Sequence, residues 1–281
     1  MIDPAMDGLY NNRANVPEHP ELLAEWAAMS AAWAVDAKTM RTLVYGDSDA
    51  ETLDLFLADA ENAPVHMYIH GGYWQSNDKK SSSFVARPLV EAGAHVAVID
   101  YGLCPDVTID EIGRQCRAAL AFLYGCVKSF GGNPDRITVS GHSCGGQLVG
   151  MVMATDWPHF GADLPKDLVK GGVSISGVFD LEPLLNTTIN LKVGMDDAVA
   201  RRNSPLFMKP ACDAPLALYW GDNETDAFRQ QSEAMAAVWG AKDVETVAEA
   251  ILGVNHFTVL TGMENPAHPA TRAILQQLGL G

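Results

Sequence analysis

The stretch RITVSGHSCGGQLVGMVMA, residues 136–154, joins an apolar run, a glycine-rich turn and a second apolar run. The first run predicts a buried strand, and the second predicts a helix from Gly145 to about Thr155. A serine in such a strand–turn–helix is held in strained backbone geometry, so the residues two before and two after it must be small. Gly141 and Gly145 satisfy this around Ser143. We therefore predict that Ser143 is a nucleophile; the alternative is a serine that only caps the helix.

Predicted strands and helices alternate on both sides of this turn. Strands are predicted over residues 42–47, 52–59, 63–72, 94–102, 136–141, 171–180, 214–222 and 244–253. Helices are predicted over residues 19–37, 81–93, 108–132, 145–155, 226–240 and 269–279. The alternation predicts an α/β fold with a mainly parallel central sheet and helices on both faces.

We expect one domain over residues 1–281, with an N-terminal helical segment at 1–40. The interval 181–213 breaks the alternation of strands and helices. We predict that it forms a small cap or lid over the carboxyl edge of the sheet, where ligands bind in such folds. The exposed face of the first helix and the edge strands could support a homodimer.

The composition excludes several classes of function. The 281 residues include 35 acidic and 19 basic side chains, for a formal net charge of −16. Such a surface repels phosphate backbones and anionic lipids, so we expect neither nucleic-acid nor membrane binding. The N-terminus lacks the features of a secretory signal, and no apolar window reaches the roughly 18–20 residues of a transmembrane helix. Five dispersed cysteines argue against disulfides or a zinc site and predict a reducing, cytoplasmic location.

HGGYW, residues 70–74, lies at the end of the predicted strand over residues 63–72. Hydrolysis of an acyl bond develops negative charge on the carbonyl oxygen, which fixed N–H donors stabilise. Two glycines let the backbone approach the substrate closely. We predict an oxyanion hole formed by the amides of Gly71, Gly72 and Cys144; a simple strand-end turn is the alternative.

A serine hydroxyl needs a histidine base held by a carboxylate, and in this fold the three occur in the chain order serine, acid, histidine. His256 follows a predicted strand through a loop and is preferred as the base over His268, which lies between two prolines. His70 and His142 precede the position that this order requires, so we expect them to anchor loops. No metal or organic cofactor is expected.

The acid is expected in YWGDNETDAF, residues 219–228, just after a predicted strand. Glu224 is preferred because it lies at the tip of the loop. Asp222 remains open as the alternative, and Asp226 is expected to cap the next helix.

The chain resembles the α/β-hydrolase superfamily over nearly its whole length, and within it the arylformamidases (kynurenine formamidases) and their esterase-like bacterial relatives. The similarity rests on YNNR (10–13), HGGYWQ (70–75), IDYGLCP (99–105), GHSCGG (141–146), FRQQS (228–232) and NHF (255–257). The resemblance implies that Glu224 occupies the position of the family's catalytic aspartate. Cys144 stands where family members often carry alanine.

This resemblance implies hydrolysis of an N-formyl aryl amide, such as N-formylkynurenine, by Ser143, His256 and Glu224. Tyr73 and Trp74 place aromatic surface beside the predicted oxyanion hole, which suits contact with an aryl substrate, although either ring could instead pack under the loop. A carboxylesterase for short acyl esters would share every catalytic residue. A non-catalytic binding protein on the same scaffold is the remaining alternative. In each case the partner is a small molecule.

Overall fold

The sheet consists of eight strands in the computed structural model, which describes residues 1–36 and 39–281. In chain order the strands are β1 (Met40–Val44), β2 (Thr52–Phe56), β3 (Ala63–Ile69), β4 (His95–Ile99), β5 (Gly132–His142), β6 (Val169–Ile175), β7 (Leu216–Gly221) and β8 (Thr246–Ile251). Their spatial order is β1-β2-β4-β3-β5-β6-β7-β8.

The sheet is mainly parallel, as predicted. β1 and β2 form an antiparallel hairpin, β2 pairs antiparallel with β4, and all pairs from β4 to β8 are parallel. Every residue of β3 and β4 is buried. This fits strands that are covered by helices on both faces and therefore have apolar runs instead of an alternating pattern.

Thirteen α-helices occur in the described residues. They are α1 (Pro4–Tyr10), α2 (Asn12–Asn15), α3 (His19–Asp36), α4 (Lys79–Ser82), α5 (Arg87–Glu91), α6 (Ile109–Cys126), α7 (Cys144–Met153), α8 (Trp157–Phe160), α9 (Asn190–Val193), α10 (Asp197–Arg202), α11 (Asp226–Gly240), α12 (Thr258–Thr261) and α13 (Pro269–Gln277). Short 3-10 helices cover Ser83–Ala86, Val127–Phe130, Glu182–Asn186, Pro205–Phe207 and Gly262–Glu264. Within this part of the chain, no helix is both long and apolar enough to cross a bilayer.

The predicted helix over residues 81–93 is interrupted in the structure. The predicted helix over 81–93 is three consecutive pieces, α4, a 3-10 turn and α5. Pro88 lies in the first turn of α5, where its missing N–H is tolerated, so it starts a new helix and cannot continue the previous one. The predicted helix over 19–37 is observed as α3 (His19–Asp36). Its last predicted residue, Ala37, lies outside the described residues, as does residue 38 of the N-terminal segment.

Apolar side chains form one core on each face of the sheet. The core on one face is built from α6, α7 and α11, with Leu120, Leu148 and Met235 among its buried members. The core on the other face includes Trp26 of α3 and Ile274 of α13. Helices therefore cover both faces, and the loops after β3, β5, β7 and β8 meet at the carboxyl edge of the sheet.

Candidate active site

The turn after β5 has the geometry that its glycines allow. Ser143 has φ 58° and ψ −124°, a strained conformation for a residue with a side chain. A Cβ on Gly141 would lie 2.3 Å from the carbonyl oxygen of Gly145, and a Cβ on Gly145 would lie 2.2 Å from that of Ile69. Only glycine therefore fits two residues before and two residues after the serine.

A continuous hydrogen-bond chain begins at this serine. Oγ of Ser143 lies 3.0 Å from Nε2 of His256, and Nδ1 of His256 lies 2.6 Å from Oε2 of Glu224. The histidine and glutamate side chains are 5% and 0% exposed. Because the carboxylate accepts from Nδ1–H, Nε2 is left free to accept the serine proton. The arrangement can therefore activate a hydroxyl as a nucleophile.

The three acidic candidates after β7 lie in different environments. Glu224 alone contacts His256. Asp222 accepts a hydrogen bond from the amide of Gly253 at 2.6 Å and so joins the loops after β7 and β8. Asp226 is the first residue of α11, where the cap position belongs to Thr225, and its carboxylate pairs with a side chain on the next turn of the helix. The expectation that Asp226 caps this helix is therefore wrong by one residue.

Ser176 was not identified as a site residue from the sequence. It directly follows β6 with a φ of 52°, and its Oγ donates to Oε1 of Glu224 at 2.5 Å. The amide of Gly221 donates to the same oxygen at 2.7 Å. With His256 on Oε2, both carboxylate oxygens are engaged, which fixes the orientation of the acid. A serine at the end of the strand between the nucleophile and acid strands was the only signal available.

The other histidines lie as expected outside the proton-transfer chain. Nε2 of His142 donates to the carbonyl oxygen of His256 at 2.8 Å, and burial lowers the pKa of His142 well below its usual value. His142 is therefore neutral and anchors the loop that carries His256. His268 precedes α13, away from Ser143, and burial lowers its pKa to about 4.

The loop after β3 is fixed by hydrogen bonds that involve the side chain and the backbone of its histidine, His70. Nδ1 of His70 lies 2.8 Å from the carbonyl oxygen of Gly71, and the hydroxyl of Tyr101 donates to the carbonyl oxygen of His70 at 2.8 Å. Because C=O and N–H point in opposite directions across a trans peptide, the Gly72 amide points away from His70 and the Gly71 amide away from Tyr101. Gly72 has φ 110°, and a Cβ on Gly71 would lie 3.1 Å from Cβ of Ser143.

Cys144 contributes to this region with its amide and with its thiol. The carbonyl oxygen of Ser143 accepts from the amide of Gly146 at 2.8 Å, so the Cys144 amide in the same peptide points away from α7. The buried thiol accepts a hydrogen bond from the amide of Trp74 at 3.2 Å. Cys144 therefore ties the HGGYW loop to the start of α7.

A cavity of about 160 Å³ opens onto Ser143 and His256. Gly72 and Tyr73 line its wall, whereas Gly71 and Cys144 do not. The remaining lining residues are Asn11, Asn12, Arg13, Leu23, Trp26, Gln75, Ser76, Asn77, His142, Thr188, Ile189 and Phe257. The N-terminal segment and α3 thus supply much of the wall.

The two predicted aromatic contacts lie in different places. Tyr73 lines the cavity, and its hydroxyl donates to the carbonyl oxygen of Tyr10 at 2.6 Å. Trp74 is completely buried, and its Nε1 donates to Oε1 of Gln147 at 3.1 Å. The expected contact between Trp74 and substrate does not fit this position, since the ring packs under the loop.

Residues 181–213 form α9, α10 and two 3-10 turns, and their hydrogen bonds connect them to the N-terminal segment. The amide of Asp3 donates to the carbonyl oxygen of Asn186 at 2.7 Å, and Oδ1 of Asp7 accepts from the amide of Thr188 at 2.7 Å. Thr188 and Ile189 reach the cavity wall. The two segments therefore meet above the carboxyl edge of the sheet.

A serine elbow after β5, an acid after β7 and a histidine after β8 of a mainly parallel sheet characterise an α/β-hydrolase, and the chain has this fold. It belongs to the BD-FAE family, whose model matches residues 53–238. The kynurenine formamidase of Danio rerio is 30% identical over 251 residues, which cover 86% of this chain and 83% of that enzyme. The Salmo salar kynurenine formamidase is 29% identical over 253 residues, with coverage of 86% and 83%.

Solved structures agree with this assignment. A crystal structure from Silicibacter sp. TM1040, provisionally described as a thioesterase, is 30% identical with a TM-score of 0.85, covering 96% of this chain and 98% of that one. The carboxylesterase EstE1 from a metagenomic library has the same fold, with 21% identity, a TM-score of 0.74 and coverage of 92% and 97%. The chain is therefore a hydrolase of the arylformamidase and esterase type.

Proposed function

We propose that the protein hydrolyses small N-formyl aryl amides, such as N-formylkynurenine, with Ser143 as the nucleophile. The observation that supports this most directly is the hydrogen-bond chain from Ser143 through His256 to Glu224, which opens onto the cavity. The similarity to kynurenine formamidases over most of the chain supports the choice of an aryl formamide.

The reaction begins when Oγ of Ser143 attacks the formyl carbon and Nε2 of His256 accepts the hydroxyl proton. The tetrahedral intermediate collapses with cleavage of the C–N bond, and His256 donates its proton to the leaving arylamine. Water, deprotonated by the same nitrogen, then attacks the formyl ester on the serine. Formate leaves, and the serine recovers its proton. Glu224 holds the tautomer of the imidazole and stabilises its cation.

The negative oxygen of each tetrahedral intermediate would be bound by the amides of Gly72 and Cys144, with that of Gly71 nearby. Two observations support the Gly72 amide as a donor: Gly72 lies on the cavity wall, and the carbonyl oxygen of Gly71, in the same peptide as this amide, contacts Nδ1 of His70 on the opposite side. The start of α7 contributes a favourable dipole at the same place. One such donor is worth about 3–4 kcal/mol of transition-state stabilisation.

The size of the cavity supports a substrate with one aromatic ring. Its volume of about 160 Å³ is close to that of an apolar cavity of about 150 Å³ that binds benzene. Tyr73, Trp26 and Phe257 provide aromatic surface on the wall. We propose that residues 181–213 act as a cap that, together with the N-terminal segment, excludes water from the ring.

A carboxylesterase for short acyl esters is the second candidate, supported by the shared fold and the same reacting groups. Specificity constants (kcat/KM) for N-formylkynurenine and for p-nitrophenyl acetate, measured on one preparation, separate the two. The proposal predicts a clear preference for the formamide. Turnover of the ester with no release of formate from N-formylkynurenine would contradict it.

A further inference from the structure

One cation lies on the wall of the catalytic cavity. Arg13 is exposed at this wall, and its Nη2 donates to the hydroxyl of Ser76 at 2.7 Å. Within residues 1–36 and 39–281 its guanidinium forms no ion pair with a carboxylate. Because a guanidinium carries several donors in a planar fork, most of them remain available to a ligand.

The neighbouring residue adds a buried donor to the same wall. Asn12 is 4% exposed and lines the cavity, and its Nδ2 has no hydrogen-bond acceptor in the described chain. An unpaired buried donor costs free energy unless a ligand or water supplies an acceptor. Arg13 therefore presents a charged donor at the cavity wall, and the unpaired amide nitrogen of Asn12 lies in the adjacent residue.

The acidic side chains near this wall are already engaged. None of the lining residues is aspartate or glutamate. Asp7, just outside the wall, accepts hydrogen bonds from Thr188 and from Asn11. Glu224 lies behind His256 with both carboxylate oxygens occupied. The protein has a formal net charge of −16. The cavity wall at Arg13 nevertheless carries a positive charge with no carboxylate among the lining residues, so this part of the wall favours an anionic ligand group.

We infer that Asn12 and Arg13 form a subsite for a carboxylate on the leaving-group side of the substrate. The substrate class is then an aryl formamide or aryl ester whose leaving group carries a free carboxylate, such as N-formylkynurenine. This inference rests on the proposed function, because it places the carboxylate on the leaving group of the acyl transfer at Ser143.

The subsite is also linked to the oxyanion loop. Ser76, which accepts from Arg13, donates through its own hydroxyl to the carbonyl oxygen of Gly72 at 3.1 Å. A carboxylate bound at Arg13 therefore contacts a side chain that is hydrogen-bonded to the loop carrying the proposed oxyanion donor. Binding at the subsite and correct positioning of Gly72 are thus connected by two hydrogen bonds.

The test compares substrates that differ only in this charge. N-formylkynurenine and its carboxamide form one pair, and 4-acetoxybenzoate and 4-acetoxybenzamide form an ester pair. The specificity constants of all four are measured for the wild type, Arg13→Gln and Arg13→Lys. We expect a preference for the carboxylate that falls about tenfold in Arg13→Gln, mainly through KM, and is partly kept in Arg13→Lys.

Two further variants complete the test. Arg41→Gln removes another exposed arginine, on β1 away from the cavity, and should leave every preference unchanged. Asn12→Asp adds a negative charge to the subsite and should reverse the preference toward the carboxamides. Thermal unfolding of each variant establishes that it is folded.

The outcomes separate the subsite from the proposed function. If the formamides are not cleaved but the ester pair shows an Arg13-dependent preference, the proposed function is wrong and the subsite is supported. Equal preferences in the wild type and Arg13→Gln for whichever pair is cleaved would overturn the subsite. Cleavage of neither pair would overturn both.

Discussion

His256 and Glu224 lie in the loops that follow two adjacent strands, and their side chains meet with Nδ1 2.6 Å from Oε2. β7 and β8 pair in parallel register from Leu216 to Gly221, so the loops that follow them leave the sheet side by side. The acid and the base are thus positioned by strand pairing, although 32 residues separate them in the sequence.

Replacing the acid should remove most activity while leaving the fold intact. In Glu224→Gln the side-chain amide can no longer hold the required tautomer of His256, so we expect kcat to fall by about 10⁴-fold. Asp222→Asn is the matched control, because Asp222 bonds to the amide of Gly253 and does not contact His256. Comparable losses in both variants, measured by steady-state kinetics, would contradict the role given to Glu224.

The elbow should not tolerate a single added methyl group. A Cβ in Gly145→Ala would lie 2.2 Å from the carbonyl oxygen of Ile69, so we expect a loss of activity and about 3 kcal/mol of unfolding free energy. Gly125→Ala is the control, since nothing lies within 4 Å of its Cβ on exposed α6 surface. That variant should gain about 0.5–1 kcal/mol in denaturant unfolding. Equal stability of both variants would argue against the close approach at the elbow.

Buried histidines should make the fold sensitive to mild acid. Burial lowers the pKa of His66 to about 3, while its two ring nitrogens contact Thr138 and Ser140. The native state then binds fewer protons than the unfolded state below the usual histidine pKa of about 6.5. The free energy of unfolding should therefore fall as pH decreases from about 6.5 toward 3, by about 1.4 kcal/mol per pH unit for this group.

The His66→Gln variant isolates this contribution. Urea unfolding at a series of pH values should give a shallower slope for the variant than for the wild type. His142 and His268, whose pKa values are also lowered, continue to titrate in both proteins. Parallel curves for the two proteins would mean that His66 takes up no extra proton on unfolding.

The cysteine beside the nucleophile should be unreactive in the folded protein. Cys144 is fully buried, and burial raises its pKa to about 12, so the thiolate needed for alkylation is scarce. Iodoacetamide at neutral pH should modify the half-buried Cys212 and leave Cys144 unmodified until urea is added. Peptide mapping by mass spectrometry measures this. Rapid modification of Cys144 in the native protein would contradict its buried position.

Local sequence patterns were sufficient to predict those elements whose formation depends only on residues that are neighbours in the sequence. The apolar runs of β3 and β5 and the small residues around Ser143 need no knowledge of distant contacts. The preference for Glu224 over Asp222 came from its place at the tip of the loop, and the contact with His256 agrees with it.

Other features depend on contacts that local patterns do not encode. Ser176 contacts Glu224 because β6 lies between β5 and β7, which is a property of the sheet order. Asn12 and Arg13 reach the cavity through tertiary packing of the N-terminal segment. Trp74 could not be assigned to one side of its loop, because it and Tyr73 both have positive φ and do not follow the alternation of a strand.

Formate release from N-formylkynurenine by the wild type and by Ser143→Ala tests the account most directly. Circular dichroism of both proteins establishes that the variant is folded. We predict release by the wild type and a rate about 10⁶-fold lower in the variant, as expected when a triad nucleophile is removed. Unchanged formate release by folded Ser143→Ala would contradict the proposed mechanism.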